Sequence, residues 1–398
     1  MMIAFFLLFL VLSALIGAGG ALAVGHLVPA VSALSLVLGF CGALYLGRAF
    51  KLELKPPPVT IPVFLFYAVI LTGIYFHSVF LFYFKSGNYW IQNPFNLGDM
   101  SFHWSAIRSV AKGAHFWPEN PIYSGHRFRY PFGMDFINSF FENLGVPMAQ
   151  HLPLVTLLAL LMVFFTLHCA GGPLLVFAVF FSCGLFNFWA NKSGWGHQQL
   201  QESLDFKNIF LTVLLTQRGF LYALPAGVLL YRAVQKYFAG AWKPTAIEKV
   251  TLGIIWGGLG FFHLHTFFFV SLFFGLWILW KRDLKNWLLP IGVAVLLGFP
   301  FVVNALIPEA GTNSLIHWNG RGWNRPEGVG YFGYWLTNLG PWLIAVMTAL
   351  VFFYRQKKWN IFVPTLLAVI LFILFSHLIL APWDWDNIKL LVWCYIFA

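Results

Sequence analysis

The feature that most constrains this chain is the repetition of apolar runs long enough to cross a bilayer. A hydrocarbon core of about 30 Å takes roughly 20 helical residues. Runs of this kind lie near residues 3–24, 27–50, 59–84, 152–170, 173–190, 219–237, 287–307, 341–354 and 360–381. Composition agrees: 60% of residues are hydrophobic, 20% aromatic and 9% charged, where soluble domains carry about 25% charged residues. The mean hydropathy is +0.77. The expected fold class is therefore all-α, a polytopic integral membrane protein.

Residues 250–280 form one apolar run flanked by basic residues at both ends, so an even number of crossings is expected. His263-Leu264-His265-Thr266 interrupts it. One reading is two half-helices, about 250–262 and 266–280, meeting at a polar apex, an arrangement tolerated where protein or a water-filled cavity satisfies the freed backbone. The other is a single tilted helix with two core histidines. With the split the count is twelve spans. The last begins near Ile388 and reaches Ala398 after eleven residues, too few to cross, which points to a chain cut short.

The first run has an alternative as a secretory signal, since Ala21-Leu22-Ala23 offers small residues, but it lacks a basic start. Cys41, Cys169, Cys183 and Cys394 sit in apolar runs without metal spacing and read as small buried hydrophobes.

A net charge of +11 raises nucleic acid as a partner, yet the basic residues are spread among short loops. Membrane topology accounts for them better. Loops 48–58, 232–249, 281–286 and 355–358 carry thirteen Lys and Arg against Glu53, Glu248 and Asp283. Placing them in the cytoplasm leaves an almost neutral outer face holding ten of the thirteen acids.

The longest polar interval, 85–151, falls on that outer face and holds Asp99, His103, Arg108, His126, Arg127, Arg129 and Asp135. Residues 101–112 separate Phe102, Ala106 and Val110 from Ser105, Arg108, Ser109 and Lys112, the pattern of a short helix lying along an interface. Asp99 or Ser101 could cap it. A carboxylate beside apolar walls could equally act as a general base, and Asp99, His103 and Asp135 are the candidate catalytic groups. His126, Arg127 and Arg129 lead into a second apolar-faced segment, 136–144. The two arginines could clamp a phosphate through their planar forks or meet lipid headgroups.

Glu202 and Asp205 share the outer side, as do Arg321 and Arg325 in a loop with His317, Trp318 and Trp323. The last outer cluster is Trp383-Asp384-Trp385-Asp386-Asn387-Ile388-Lys389. Ionisable groups at a span end usually pair or act, so Lys389 either pairs with an aspartate or meets an anionic ligand. His263 and His265 could share a metal ion only if the helix breaks between them. No HExxH, paired CxxC or glycine-rich phosphate loop occurs, and the one sequon is Asn191-Lys192-Ser193.

Over roughly residues 59–340 the chain resembles the polytopic glycosyltransferases of the GT-C superfamily. In that family a span leads to a large outer loop with two interface-lying helices and a catalytic acid near its start. Here 59–84 leads to 85–151 with Asp99 at the matching place. Six further spans, counting the broken pair, precede a second outer loop at 306–340, as in the family. The resemblance implies a lipid-linked sugar donor, attack by a glycan, lipid or protein hydroxyl, and Asp99 as its base. It further implies inversion at the sugar carbon and a site on the periplasmic side of a bacterial inner membrane. Arg321, Arg325 and Lys389 would hold the phosphate. Gly98-Asp99-Met100-Ser101 offers one acid where many members have a pair, so no metal cofactor is expected.

The expected organisation is a transmembrane hairpin and linker at 1–58, a GT-C-like core at 59–340 and C-terminal spans at 341–398, with membrane lipids as partners and no nucleic acid. Two other functions compete. A transporter or flippase would use His263 and His265 at the broken helix, and a non-catalytic assembly subunit would explain the abundant Phe and Trp.

Overall fold

In a computed structural model the chain is largely helical; residues 1–91, 97–182, 205–206, 208–307, 316–381 and 384–398 are described. The helices are α1 (Met2–Val24), α2 (Pro29–Ala49), α3 (Ile61–Val79), α4 (Leu97–Ala111), α5 (Gly133–Asn143), α6 (Met148–Phe180) and α7 (Phe220–Phe238). They continue with α8 (Ala246–Phe262), α9 (Leu264–Trp280), α10 (Leu284–Leu306), α11 (Tyr331–Leu339), α12 (Pro341–Arg355), α13 (Trp359–Phe375) and α14 (Ile388–Phe397). Cys183, the sequon at 191–193, Glu202 and Trp383 lie outside the described residues.

Among the described residues α1, α2, α3, α6 and α10 are long and apolar enough to cross a membrane. Helices α11 and α12, bent by 102° at Gly340, make a sixth if counted as one span. The chain thus has the architecture of an all-α integral membrane protein. The twelve crossings read from hydropathy do not all appear as separate long helices. α9 and α13 are 17 residues each, and the 19-residue α7 is buried without interruption from Phe220 to Leu230. α6 carries two of the expected runs, joined at Gly172, whose φ of 66° is open chiefly to glycine.

Exposure separates the helices that pack from those that face outward. α3 buries only Tyr67, Ile70, Ile74 and Ser78, leaving Ile61, Phe64, Leu65 and Val69 exposed. Such an apolar face marks a membrane-contacting surface. α1 instead packs closely on α2 through small residues. A Cβ at Gly39 would lie 2.1 Å from Ser13 Oγ, and Ser35, Gly39, Ala43 and Gly47 form a buried stripe at four-residue spacing. Cys169 and Cys394 are buried as expected, whereas Cys41 is exposed, because it sits on the face of α2 turned away from α1.

Two compact units divide the chain. The first comprises Met1–Pro173, Leu214–Phe267 and Asn286–Ala305, the second Leu174–Val213, Phe268–Lys285 and Leu306–Ala398. Both are discontinuous in sequence. In the first unit two basic loops meet: the Lys51 backbone N–H donates to Glu248 Oε1 at 2.9 Å, and Lys236 Nζ donates to the Glu53 carbonyl. Glu248 also closes a capping box with Thr245 at the start of α8. The α1–α2 connection, at the opposite ends of those helices from the Lys51 loop, receives the polar interval: Phe116 N–H donates to the Gly25 carbonyl at 2.8 Å, and His26 bridges His115. In the second unit Lys281 Nζ donates to Asn360 Oδ1 at 2.7 Å, joining the end of α9 to the first turn of α13.

The polar interval opens with a hairpin, Tyr83–Lys85 against Asn88–Trp90, turned by Ser86 and Gly87 at φ of 53° and 81°. Both helices expected within it are present. α4 is amphipathic and begins two residues before Asp99, so Asp99 lies in its first turn instead of capping it. α5 is no surface helix: Gly133 to Phe140 are all buried, packed against α1, α2, α4 and α8.

Candidate functional site

The buried stripe of α4 runs through Met100, His103, Ala106, Ile107 and Val110, spaced three or four residues apart. His103 is thereby turned inward, 2% exposed, while Asp99 one turn earlier keeps partial exposure. Asp135 sits in the first turn of α5, where a carboxylate complements the helix dipole. Its Oδ2 meets His103 Nδ1 at 2.7 Å, and its Oδ1 accepts from Arg218 Nε at 3.1 Å. Arg218 Nη1 donates to Thr156 Oγ1 of α6 at 3.2 Å, and His103 Nε2 faces the Thr216 carbonyl at 3.3 Å. Each carboxylate oxygen thus holds a different donor, and the cluster ties α4, α5, α6 and the approach to α7 together. Ser139 Oγ adds bonds to the Asp135 and Ile107 carbonyls.

Arg218 is 1% exposed, and its Nη2 has no hydrogen-bond partner among the described residues. Burial pushes its guanidinium pKa down, and the adjacent Asp135 carboxylate pulls it back up. A buried ion pair of this kind depends on complete partners, because removing one leaves a charge out of water.

The segment that carries Arg218 also abuts the break between α8 and α9. A Cβ at Gly219 would lie 1.9 Å from the Phe262 carbonyl oxygen, and one at Gly133 would lie 2.7 Å from the Phe262 ring. Only glycine lets the starts of α5 and α7 approach so closely. The break itself is real: His263 is extended, with φ −159° and ψ 93°. Its Nδ1 accepts from the Thr266 backbone N–H at 3.2 Å and lies 2.7 Å from Thr266 Oγ1. His263 therefore caps α9 with its imidazole. The His265 ring centroid is 5.9 Å from that of His263. Among the described residues no group of three or more His, Cys, Asp or Glu side chains could hold a metal ion.

Arg129 directs both Nε (3.0 Å) and Nη2 (2.5 Å) at the Ala305 carbonyl, one of the terminal carbonyls of α10 that have no intrahelical partner. His126 packs on Tyr123 with ring centroids 4.4 Å apart, and Arg127 is exposed where its backbone bridges Glu119. Tyr130, beside His103, donates to Gln217 Oε1 at 3.3 Å.

The second unit gathers its own charges. Asp384 accepts from Asn319 Nδ2 at 2.6 Å and meets His317 Nε2 at 2.9 Å. Asp386 pairs with Lys389 at 3.0 Å, which answers the question left by the sequence: this lysine has an aspartate partner. Arg321 is 3.7 Å from Glu327, and Arg325 donates to the carbonyls of Arg321 and Val329. Asp205 accepts from Tyr334 Oη at 2.9 Å and, through its carbonyl, from Trp385 Nε1 at 3.2 Å.

Of the residues singled out from sequence, His103 and Asp135 touch, and the stretch between Thr216 and Gly219 links them to the His263 break. Arg218, Thr216 and Thr156, which complete the cluster, belong to no motif in the sequence. The available signal was a lone arginine entering the apolar run Gly219–Leu230, since an ionisable group at a span mouth marks a paired or acting site. No family model, curated protein or solved structure matches the chain.

Proposed function

We propose that this protein is a membrane glycosyltransferase that moves a sugar from a polyprenyl-phosphate carrier to an acceptor hydroxyl, with Asp99 as general base. The observation that carries the reading is the mounting of Asp99. It is partly exposed on the first turn of α4, one turn before His103, which is locked from behind by Asp135 and Arg218. A base must be accessible yet held still, and this helix meets both demands.

In the reaction Asp99 takes the acceptor proton, the freed oxygen bonds to the anomeric carbon, and the carbon–oxygen bond to the phosphate breaks. Polyprenyl phosphate leaves with the electron pair and the sugar carbon inverts. Asp135 and His103 act as positioning residues. Arg127, exposed in the same unit as Asp99, is the candidate to meet the phosphate. A site on the periplasmic side of a bacterial inner membrane belongs to this proposal. Asp99→Asn, assayed in detergent with a polyprenyl-phosphate sugar, should lose at least about 100-fold in turnover while melting like the parent; full turnover removes the role.

The break at His263 favours a second reading, a transporter or flippase, because interrupted helices commonly frame substrate sites. Counterflow of labelled substrate into proteoliposomes supports it, and absence of uptake under every imposed gradient ends it.

A further inference from the structure

We propose that a groove at the α1–α2 connection binds the phosphate headgroup of an anionic membrane phospholipid. The groove encloses about 530 Å³ between that connection and the C-terminal ends of α4 and α5. Its height in the membrane follows from its walls. α1 and α2 are both long enough to cross, so the few residues joining them lie at a membrane surface. Leu22 and Val24, 58% and 50% exposed on the last turn of α1, provide an apolar flank where acyl chains would run.

The charges lining the groove are unequal. Glu142 is engaged on both oxygens, by Arg108 Nε at 3.2 Å and His151 Nε2 at 3.4 Å. Asn143 is saturated: its Oδ1 accepts from Ser32 Oγ at 3.0 Å, and its Nδ2 donates to the Ala111 carbonyl at 2.9 Å and the Leu27 carbonyl at 3.4 Å. Lys112 is exposed and makes no ion pair among the described residues, and His26 beside it is exposed too. The groove thus keeps a spare ammonium and an imidazole facing a membrane surface, with its one carboxylate already neutralised. An anionic oxygen at headgroup height is the complementary ligand.

The groove is distinct from the proposed catalytic acid. Lys112, the residue after the end of α4, follows Asp99 by thirteen residues, roughly 20 Å at 1.5 Å per residue. The inference is therefore independent of glycosyl transfer.

Native mass spectrometry of the purified full chain, titrated with phosphatidylglycerol or phosphatidylcholine, tests it. The parent should retain phosphatidylglycerol preferentially. Lys112→Met should weaken that retention roughly fivefold, the effect of one basic residue near an anionic headgroup, and Lys112→Arg should restore it. Val28→Trp, which fills the groove, should reduce retention without changing the melting temperature. Asp99→Asn should leave it unchanged. Equal retention by Lys112→Met and parent overturns the proposal. So does inorganic phosphate displacing the lipid at equal concentration, which would make the groove a site for a soluble anion.

Discussion

Asp135 and Asp384 are both aspartates facing a histidine, yet they sit in opposite environments. Asp135 and its partners His103 and Arg218 are 2%, 2% and 1% exposed, whereas Asp384 and His317 are 35% and 38% exposed. The buried carboxylate has no water to replace a lost partner, so each of its oxygens must keep a protein donor. The exposed one can exchange a partner for solvent at little cost. The first unit therefore uses its charges to fix helices relative to one another. In the second unit the Asp384–His317 pair stays open to solvent, while Lys389, paired with Asp386, is 7% exposed.

Removing the guanidinium should separate the two environments most sharply. Arg218→Met is expected to destabilise the protein by about 3–5 kcal/mol, because it strands the Asp135 carboxylate in the core. Adding Asp135→Asn should recover part of the loss in a double-mutant cycle. Unfolding in detergent measures both, and a loss below about 1 kcal/mol, the range of exposed ion pairs, would remove the contrast.

Gly219→Ala asks whether the same region is held by packing as well as charge. A Cβ there meets the Phe262 carbonyl oxygen at 1.9 Å, which side-chain adjustment cannot relieve. The expected loss is about 3 kcal/mol, at the upper end of overpacking effects. An unchanged melting temperature would mean that the break between α8 and α9 yields easily. Asp384→Asn, at the other extreme, should shift stability by less than about 1 kcal/mol. A larger loss would mean that this pair is structural, like the cluster in the first unit.

Much of the architecture could be read locally. The amphipathic pattern of 101–112 returned as α4, and the polar interruption at 263–266 returned as a break with His263 extended. These features depend on neighbours three or four residues away, which hydropathy and spacing record directly. An apolar run has the same pattern whether it faces lipid or protein, and only the packing shows that Phe220–Leu230 of α7 faces protein.

The candidate site was legible only in part. Asp135 and His103 could be named as ionisable residues of one polar interval, but their contact spans 32 residues and the bond to Arg218 spans 83. Arg129 shows the same limit, since its fork reaches a carbonyl 176 residues away. A guanidinium carries the same donors for a phosphate as for a helix-end carbonyl, so residue type alone could not decide.

By itself the sequence determined that this chain is a membrane protein built of helices, where its apolar stretches lie, and that a polar tetrad, His263 to Thr266, falls inside one of them. Those properties follow from side-chain transfer free energies and helical periodicity, which act over one or two turns. Tertiary structure alone decided that Asp135 lies between His103 and Arg218, that Glu142 is neutralised while Lys112 is left exposed, and that α7 is interior. Each is a matter of which distant group fills a given volume, and packing of the whole unit sets that.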